Sequence, residues 1–64
     1  MKKTNTFQNG QRVKFYVKRF RKWFEGTVEG EDESLTKEVN TLCYHIRTDR
    51  GFLWGVENTL IKAL

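Results

Sequence analysis

The stretch Arg12-Val13-Lys14-Phe15-Tyr16-Val17-Lys18 alternates without interruption: Val13, Phe15 and Val17 fall on one side, and Arg12, Lys14, Tyr16 and Lys18 on the other. Successive side chains of a strand point to opposite faces, so this period of two predicts a strand with one face on a core and the other in water. The stretch runs on into Arg19-Phe20-Arg21-Lys22-Trp23-Phe24, where cations and rings are interleaved. A second strand is expected over 23–29, with Phe24, Gly26 and Val28 inward and Trp23, Glu25, Thr27 and Glu29 outward. Gly26 inside that strand marks a bend or a close approach of backbone.

The same alternation continues downstream. A third strand is expected over 41–48, with Leu42, Tyr44 and Ile46 opposed to Cys43, His45 and Arg47. Asp49-Arg50-Gly51 reads as a tight turn with Gly51 at positive φ. Phe52, Trp54 and Val56 then form the core side of a fourth strand, leaving Leu53 outward beside Gly55. Glu57-Asn58-Thr59 reads as a short helical turn, and residues 60–64 as a last strand. Between the second and third strands, residues 29–40 are acidic; they form either a long hairpin loop or a single helical turn capped by Ser34, pairing Leu35 with Val39. Ahead of Asn9-Gly10, a turn signal, residues 1–9 are polar and read as a flexible basic tail. The expected architecture is therefore all-β: one domain over residues 10–64 whose five strands close into a barrel, because an open sheet of this size leaves its edges bare.

Charge is distributed unevenly along the 64 residues. Residues 1–24 carry a charge of +8, residues 25–38 carry −5 and the remainder +1, for the net +4. Binding depends on such local fields rather than on the sum. A domain of this size buries only ~60% of the surface its unfolded chain exposes. Its nine aromatic residues must therefore supply much of the core.

The single cysteine, Cys43, permits no internal disulfide, in keeping with a reducing cytoplasmic setting. The polar start of the chain lacks the apolar run of a signal peptide, and no segment approaches the ~20 apolar residues of a membrane span. Neither a membrane nor a small-molecule substrate is expected as a partner. Cys43 and His45 share a strand face, but a zinc site needs about four ligands and no further Cys or His is present. As a nucleophile pair they lack an orienting group, so Cys43 is read as a small apolar residue and His45 as a surface polar one. Glu29-Gly30-Glu31-Asp32-Glu33 lacks the ligand spacing of a calcium loop. No catalytic residue, cofactor or metal site is expected.

The order of these features, Gly10-x-x-Val13, Trp23-Phe24-x-Gly26-x-Val28, a variable loop, Tyr44-x-Ile46, Asp49-Arg50-Gly51, Val56 and Leu60-Ile61, resembles the SH3-like barrel, and within it the Tudor-type and integrase C-terminal-type barrels. The resemblance covers residues 10–64. Integrase-type barrels place basic strands and loops on DNA. Tudor-type barrels cage methylated lysine or arginine in aromatic rings; Trp23, Phe24, Asp49 and Gly51 match that pattern, but Arg50 stands where the family has a ring and would repel a cationic guest. The plasmid-borne trimethoprim-resistant dihydrofolate reductases are also short SH3-like barrels. Their catalytic Val-Gln-Ile-Tyr would fall near Phe52-Leu53-Trp54-Gly55, which has neither the Gln nor the Tyr.

The residues and the resemblance together lead to a non-catalytic module that binds nucleic acid, DNA in preference to RNA. Lys14, Lys18, Arg19, Arg21 and Lys22 would contact phosphates and Trp23 would stack on a base, with Tyr16, Arg47 and Arg50 as additions. The alternative is a small protein-binding regulator or inhibitor, of a kind that phages and plasmids carry. It would meet an acidic protein surface through the basic hairpin and use the acidic 29–38 segment as a second contact. An exposed Leu53 contiguous with Trp23 and Tyr16 would favour it.

Overall fold

A computed structural model describes residues 6–64 of the chain. Its elements are β1 (Arg12–Val17), β2 (Lys22–Glu31), α1 (Glu33–Val39), β3 (Cys43–Thr48), β4 (Leu53–Glu57), a 3-10 turn (Asn58–Leu60) and β5 (Ile61–Ala63). All five strands join one antiparallel sheet in the order β4-β3-β2-β1-β5. The first four form a meander of neighbours, and the 3-10 turn carries β5 across to the free side of β1. The all-β expectation, with a short helical turn before the last strand, matches this architecture.

The alternating residues account for the core. Val13, Phe15 and Val17 of β1 meet Val28, Tyr44, Ile46, Val56 and Ile61 on one side of the sheet, with Phe24, Leu42, Trp54 and Leu60 packed around them. Cross-strand register puts Phe15 opposite Phe24 on one side and Ile61 on the other, and Ile46 opposite both Val28 and Trp54. The sheet curls round this core. Residues 16–18 of β1 and its turn face residues 54–57 of β4 across a cleft of about 300 Å³, flanked by Leu35 and Leu60. The result is a small barrel-like fold.

Gly26 makes the tight curl possible. A Cβ there would lie 2.6 Å from the Arg47 carbonyl oxygen and 2.7 Å from Ile46 Cγ2, so β2 and β3 approach at a distance only glycine allows. This is the close approach expected from the sequence. The Asp49–Gly51 turn also forms, with Gly51 at φ 90°.

The acidic segment is more ordered than its composition indicates. After a register shift between Val28 and Gly30, β2 continues to Glu31, which pairs with Tyr44. Asp32, rather than Ser34, then caps α1: its Oδ1 accepts the Leu35 N–H at 3.1 Å. The reason is positional. The strand delivers the chain to Asp32 already extended, and a carboxylate is as good a cap as a hydroxyl. Asn40 closes the helix in the left-handed region at φ 58°. The helix lies over the outer side of β3 and β4. Thr36 Oγ1 accepts the Cys43 N–H at 2.9 Å, and Leu35 and Asp32 sit so near Gly55 that a Cβ there would collide with the carboxylate.

Two expected burial assignments change. Phe52 precedes β4 instead of beginning it, and its ring is 65% exposed rather than in the core. Cys43, on the outward side of its strand, is nevertheless fully buried, because α1 and its flanks cover that side. Of the expected N-terminal tail, residues 1–5 lie outside the described part. Phe7 is packed edge-to-face on Tyr44 with centroids 5.5 Å apart, and its N–H donates to the Tyr44 hydroxyl at 3.0 Å. No helix among the described residues is long and apolar enough to cross a membrane.

Candidate nucleic-acid interface

The turn between β1 and β2 lifts Lys18, Arg19, Phe20 and Arg21 out of the sheet, and all four are exposed. The Phe20 N–H donates to Val17 O at 3.1 Å and the Arg21 N–H to Lys18 O at 3.3 Å. Arg21 then reverses the chain at φ 52° into Lys22, the first residue of β2. Four-residue hairpin loops of this kind are built round a type I turn, with a left-handed residue at their end. The turn thus brings Lys18, Arg19, Arg21 and Lys22 to one end of the sheet.

Register gathers a second group on the outer face. Tyr16 stands opposite Trp23, and their ring centroids are 5.4 Å apart. The ammonium groups of Lys14 and Lys62 lie 5.3 and 5.5 Å from the Trp23 ring centre, within cation–π range. Trp23 keeps 46% of its surface exposed. Lys62 was not among the expected site residues. It arrives through the pairing of β5 with β1, where it stands opposite Lys14, and nothing local in the sequence announces that pairing.

The remaining cations divide. Arg47 is held away from this group: its Nε donates to Glu29 Oε2 at 2.6 Å, its Nη2 to Glu29 Oε1 at 3.2 Å and its Nη1 to Gly51 O at 2.9 Å. Its donors face groups of the protein itself, and its guanidinium holds the Glu29 carboxyl below its ordinary pKa. Arg12 is similarly engaged. Its Nη1 reaches Asp49 at 2.8 Å and Thr27 at 3.1 Å, and its Nη2 lies 3.8 Å from Glu25. The hydrogen bond from Arg12 keeps the Asp49 carboxyl below its usual range, so it stays ionised and matched at neutral pH. Lys14, Lys18, Arg19, Arg21, Lys22, Arg50 and Lys62 form no ion pair among the described residues.

Arg50 belongs to a third feature. Between the β1–β2 turn and the β3–β4 turn opens a cleft of about 640 Å³ lined by Phe20, Trp23, Phe24, Phe52 and Trp54, with Glu25, Thr48, Asp49 and Arg50 along it. Phe24 and Trp54 stack at 6.4 Å with 17° between their planes, and Phe20 meets both edge-on at 6.2 and 6.1 Å. Phe20 is 52% exposed. The sequence reading assigned Phe52 to the core and gave Phe20 no role. Their signal was the spacing of rings on the two turns, visible only once the turns are known to face each other. Leu53 is exposed as expected, but it stands opposite Arg47 on β4, with β3 between it and the strand that carries Trp23.

Cys43 and His45 do not form a reactive pair. Burial pushes the Cys43 thiol pKa up, and its Sγ lies 3.3 Å from Thr41 O. His45 Nε2 lies 3.0 Å from Asp32 Oδ2, directed at the helix cap. Compared with known protein families, curated proteins and solved structures, the chain matches none.

Proposed function

We propose that the chain is a non-catalytic, SH3-like binding module that takes nucleic acid, DNA in preference to RNA, across the outer face of β1, β2 and β5 and the β1–β2 turn. The observation that carries this reading is Trp23: a half-exposed indole with two ammonium groups over it and a tyrosine ring beside it. A polyanion bearing rings is the ligand for which cations and a stacking surface are both needed within a few ångströms. Lys18, Arg19, Arg21 and Lys22 extend the positive field to the tip of the sheet, while Arg12 and Arg47 neutralise the nearest carboxylates. The integrase-type resemblance points the same way. With α1 seated over β3 and β4, no helix among the described residues is offered to a major groove, so the contacts are to phosphates and base faces more than to base edges.

The acidic segment bears on the protein-binding alternative. Glu29 is engaged with Arg47 and Asp32 with α1 and His45, so neither lies against the basic turn as a lid.

The test is fluorescence anisotropy of a labelled DNA duplex, titrated between about 50 and 200 mM salt. With about five phosphates neutralised, log K falls against log salt with a slope of about −4 to −5. Arg21→Glu with Lys22→Glu reduces the steepness by about 2, since each lost phosphate contact removes about one from the slope. Absence of binding to duplex and single strand alike at the lowest salt, or a flat salt response, overturns the proposal; partner proteins that survive nuclease treatment in a pulldown would replace it with the protein-binding alternative.

A further inference from the structure

The aromatic cleft is a separate feature from the basic face, and Trp23 lies at the boundary of both. Single exposed rings are ordinary on protein surfaces. Here Phe20, Trp23 and Phe52 surround one opening, and each leaves about half or more of its surface in water. A small domain that lacks core area gains stability by burying such rings, so their clustering outside the core marks a surface with an occupant.

Two observations identify the occupant. The cleft is continuous, through Trp23, with the Lys14–Lys62 pair, and Arg50 and the β1–β2 turn border it with unpaired cations. The carboxylates at its wall, Glu25 and Asp49, are both within 4 Å of Arg12, which offsets one of their two charges. A purely apolar peptide would leave these cations without a counter-charge. A duplex would satisfy them but could not use the rings, because its bases expose only their edges. An unstacked strand satisfies both, with phosphates along the cations and base faces on the rings.

From this juxtaposition we infer that the ligand is single-stranded nucleic acid, with one or two unstacked bases entering the cleft between Phe20 and Phe52 while the backbone follows Lys14, Lys62 and the basic turn. The inference rests on the nucleic-acid reading above. It adds a strandedness and a base-binding cleft that the basic face alone does not require.

The experiment compares anisotropy of a labelled oligothymidine with that of a duplex of equal length at one salt concentration, for the unaltered protein and for Phe52→Ala and Phe20→Ala. Both rings are exposed, so circular dichroism is expected to stay unchanged. The expected result is at least tenfold tighter binding of the single strand. Each variant is expected to lower that affinity about five- to a hundred-fold and to leave duplex binding alone, the range measured for loss of one base–aromatic stack. As an independent readout, Trp23 fluorescence is quenched on oligothymidine binding in a Trp54→Phe background. Equal binding of both forms, with Phe52→Ala and Phe20→Ala silent, overturns the strandedness inference and leaves the duplex reading standing. Binding of neither form overturns both. Loss of a hydrophobic peptide ligand, but not of oligothymidine, in the Phe52→Ala protein assigns the cleft to a peptide and also overturns the inference.

Discussion

Arg21 sits at φ 52°, a conformation that costs a non-glycine residue roughly 1–2 kcal/mol. Glycine would relieve that strain but would give the unfolded chain more freedom, a loss of up to about 1 kcal/mol. The two nearly offset, with the balance toward glycine. Arg21→Gly is therefore expected to leave thermal stability unchanged or raise it by up to about 1 kcal/mol, while weakening polyanion binding. A melting curve and a binding titration on the same sample measure both. A clear drop in melting temperature would mean that the Arg21 side chain supports the turn, rather than serving the ligand at the expense of the turn. At this scale the sequence was readable wherever side chains alternate: Val13, Phe15, Val17, Ile46 and Val56 are all in the core. It misled at Phe52, because alternation says which face a residue takes and not whether the sheet extends far enough to cover it.

Among the elements, α1 was the least legible. Seven residues are too few to show an amphipathic period, and the helix buries none of its side chains fully. What holds it is its cap and its seat. Asp32 accepts the Leu35 N–H, lies 3.0 Å from His45 and abuts Gly55. Replacing it by alanine is expected to cost about 1 kcal/mol, or roughly 4–8 °C in melting temperature for a domain of this size. Asp32→Asn retains a capping oxygen and is expected to recover most of the loss. If both variants melted alike, the pairing with His45 rather than the cap would hold the helix. The hairpin strands were legible from short-range spacing alone. The β5–β1 pairing was not, and Lys62 was missed with it, since antiparallel partners far apart in sequence leave no local trace.

Over the whole molecule, folding converts the charge split of the sequence into a division of surface. Arg12 and Arg47 pair with Asp49, Glu25 and Glu29, which mutes part of the acidic charge between the two ends of the split. Most of the unpaired cations gather on the β1–β2–β5 face and turn, with Arg50 on the β3–β4 turn, while Glu31, Glu33 and Glu38 lie on or beside α1. Such an arrangement orients an approaching polyanion before contact and makes the association rate, more than the dissociation rate, sensitive to salt. The candidate interface was legible in its cations and in Trp23. The aromatic cleft was not, because it joins two turns separated by the full width of β2 and β3.

The single thin ladder from β5 to β1 also sets a timetable. The β1–β2 and β3–β4 hairpins close over short loops and β2–β3 over the segment that holds α1, whereas Val13 and Ala63 are fifty residues apart and meet through a strand only three residues long. Closing a long loop for few contacts comes late and is reversed early. Hydrogen exchange is expected to show the β5 amides, and the Leu64 amide that donates to Arg12 O, opening about a hundred-fold more often than those of β2 and β3. Uniform protection would mean that the sheet opens all at once. On the expected course, the same early step releases Lys62 from Trp23, so the molecule would lose part of the proposed nucleic-acid face before it loses its fold.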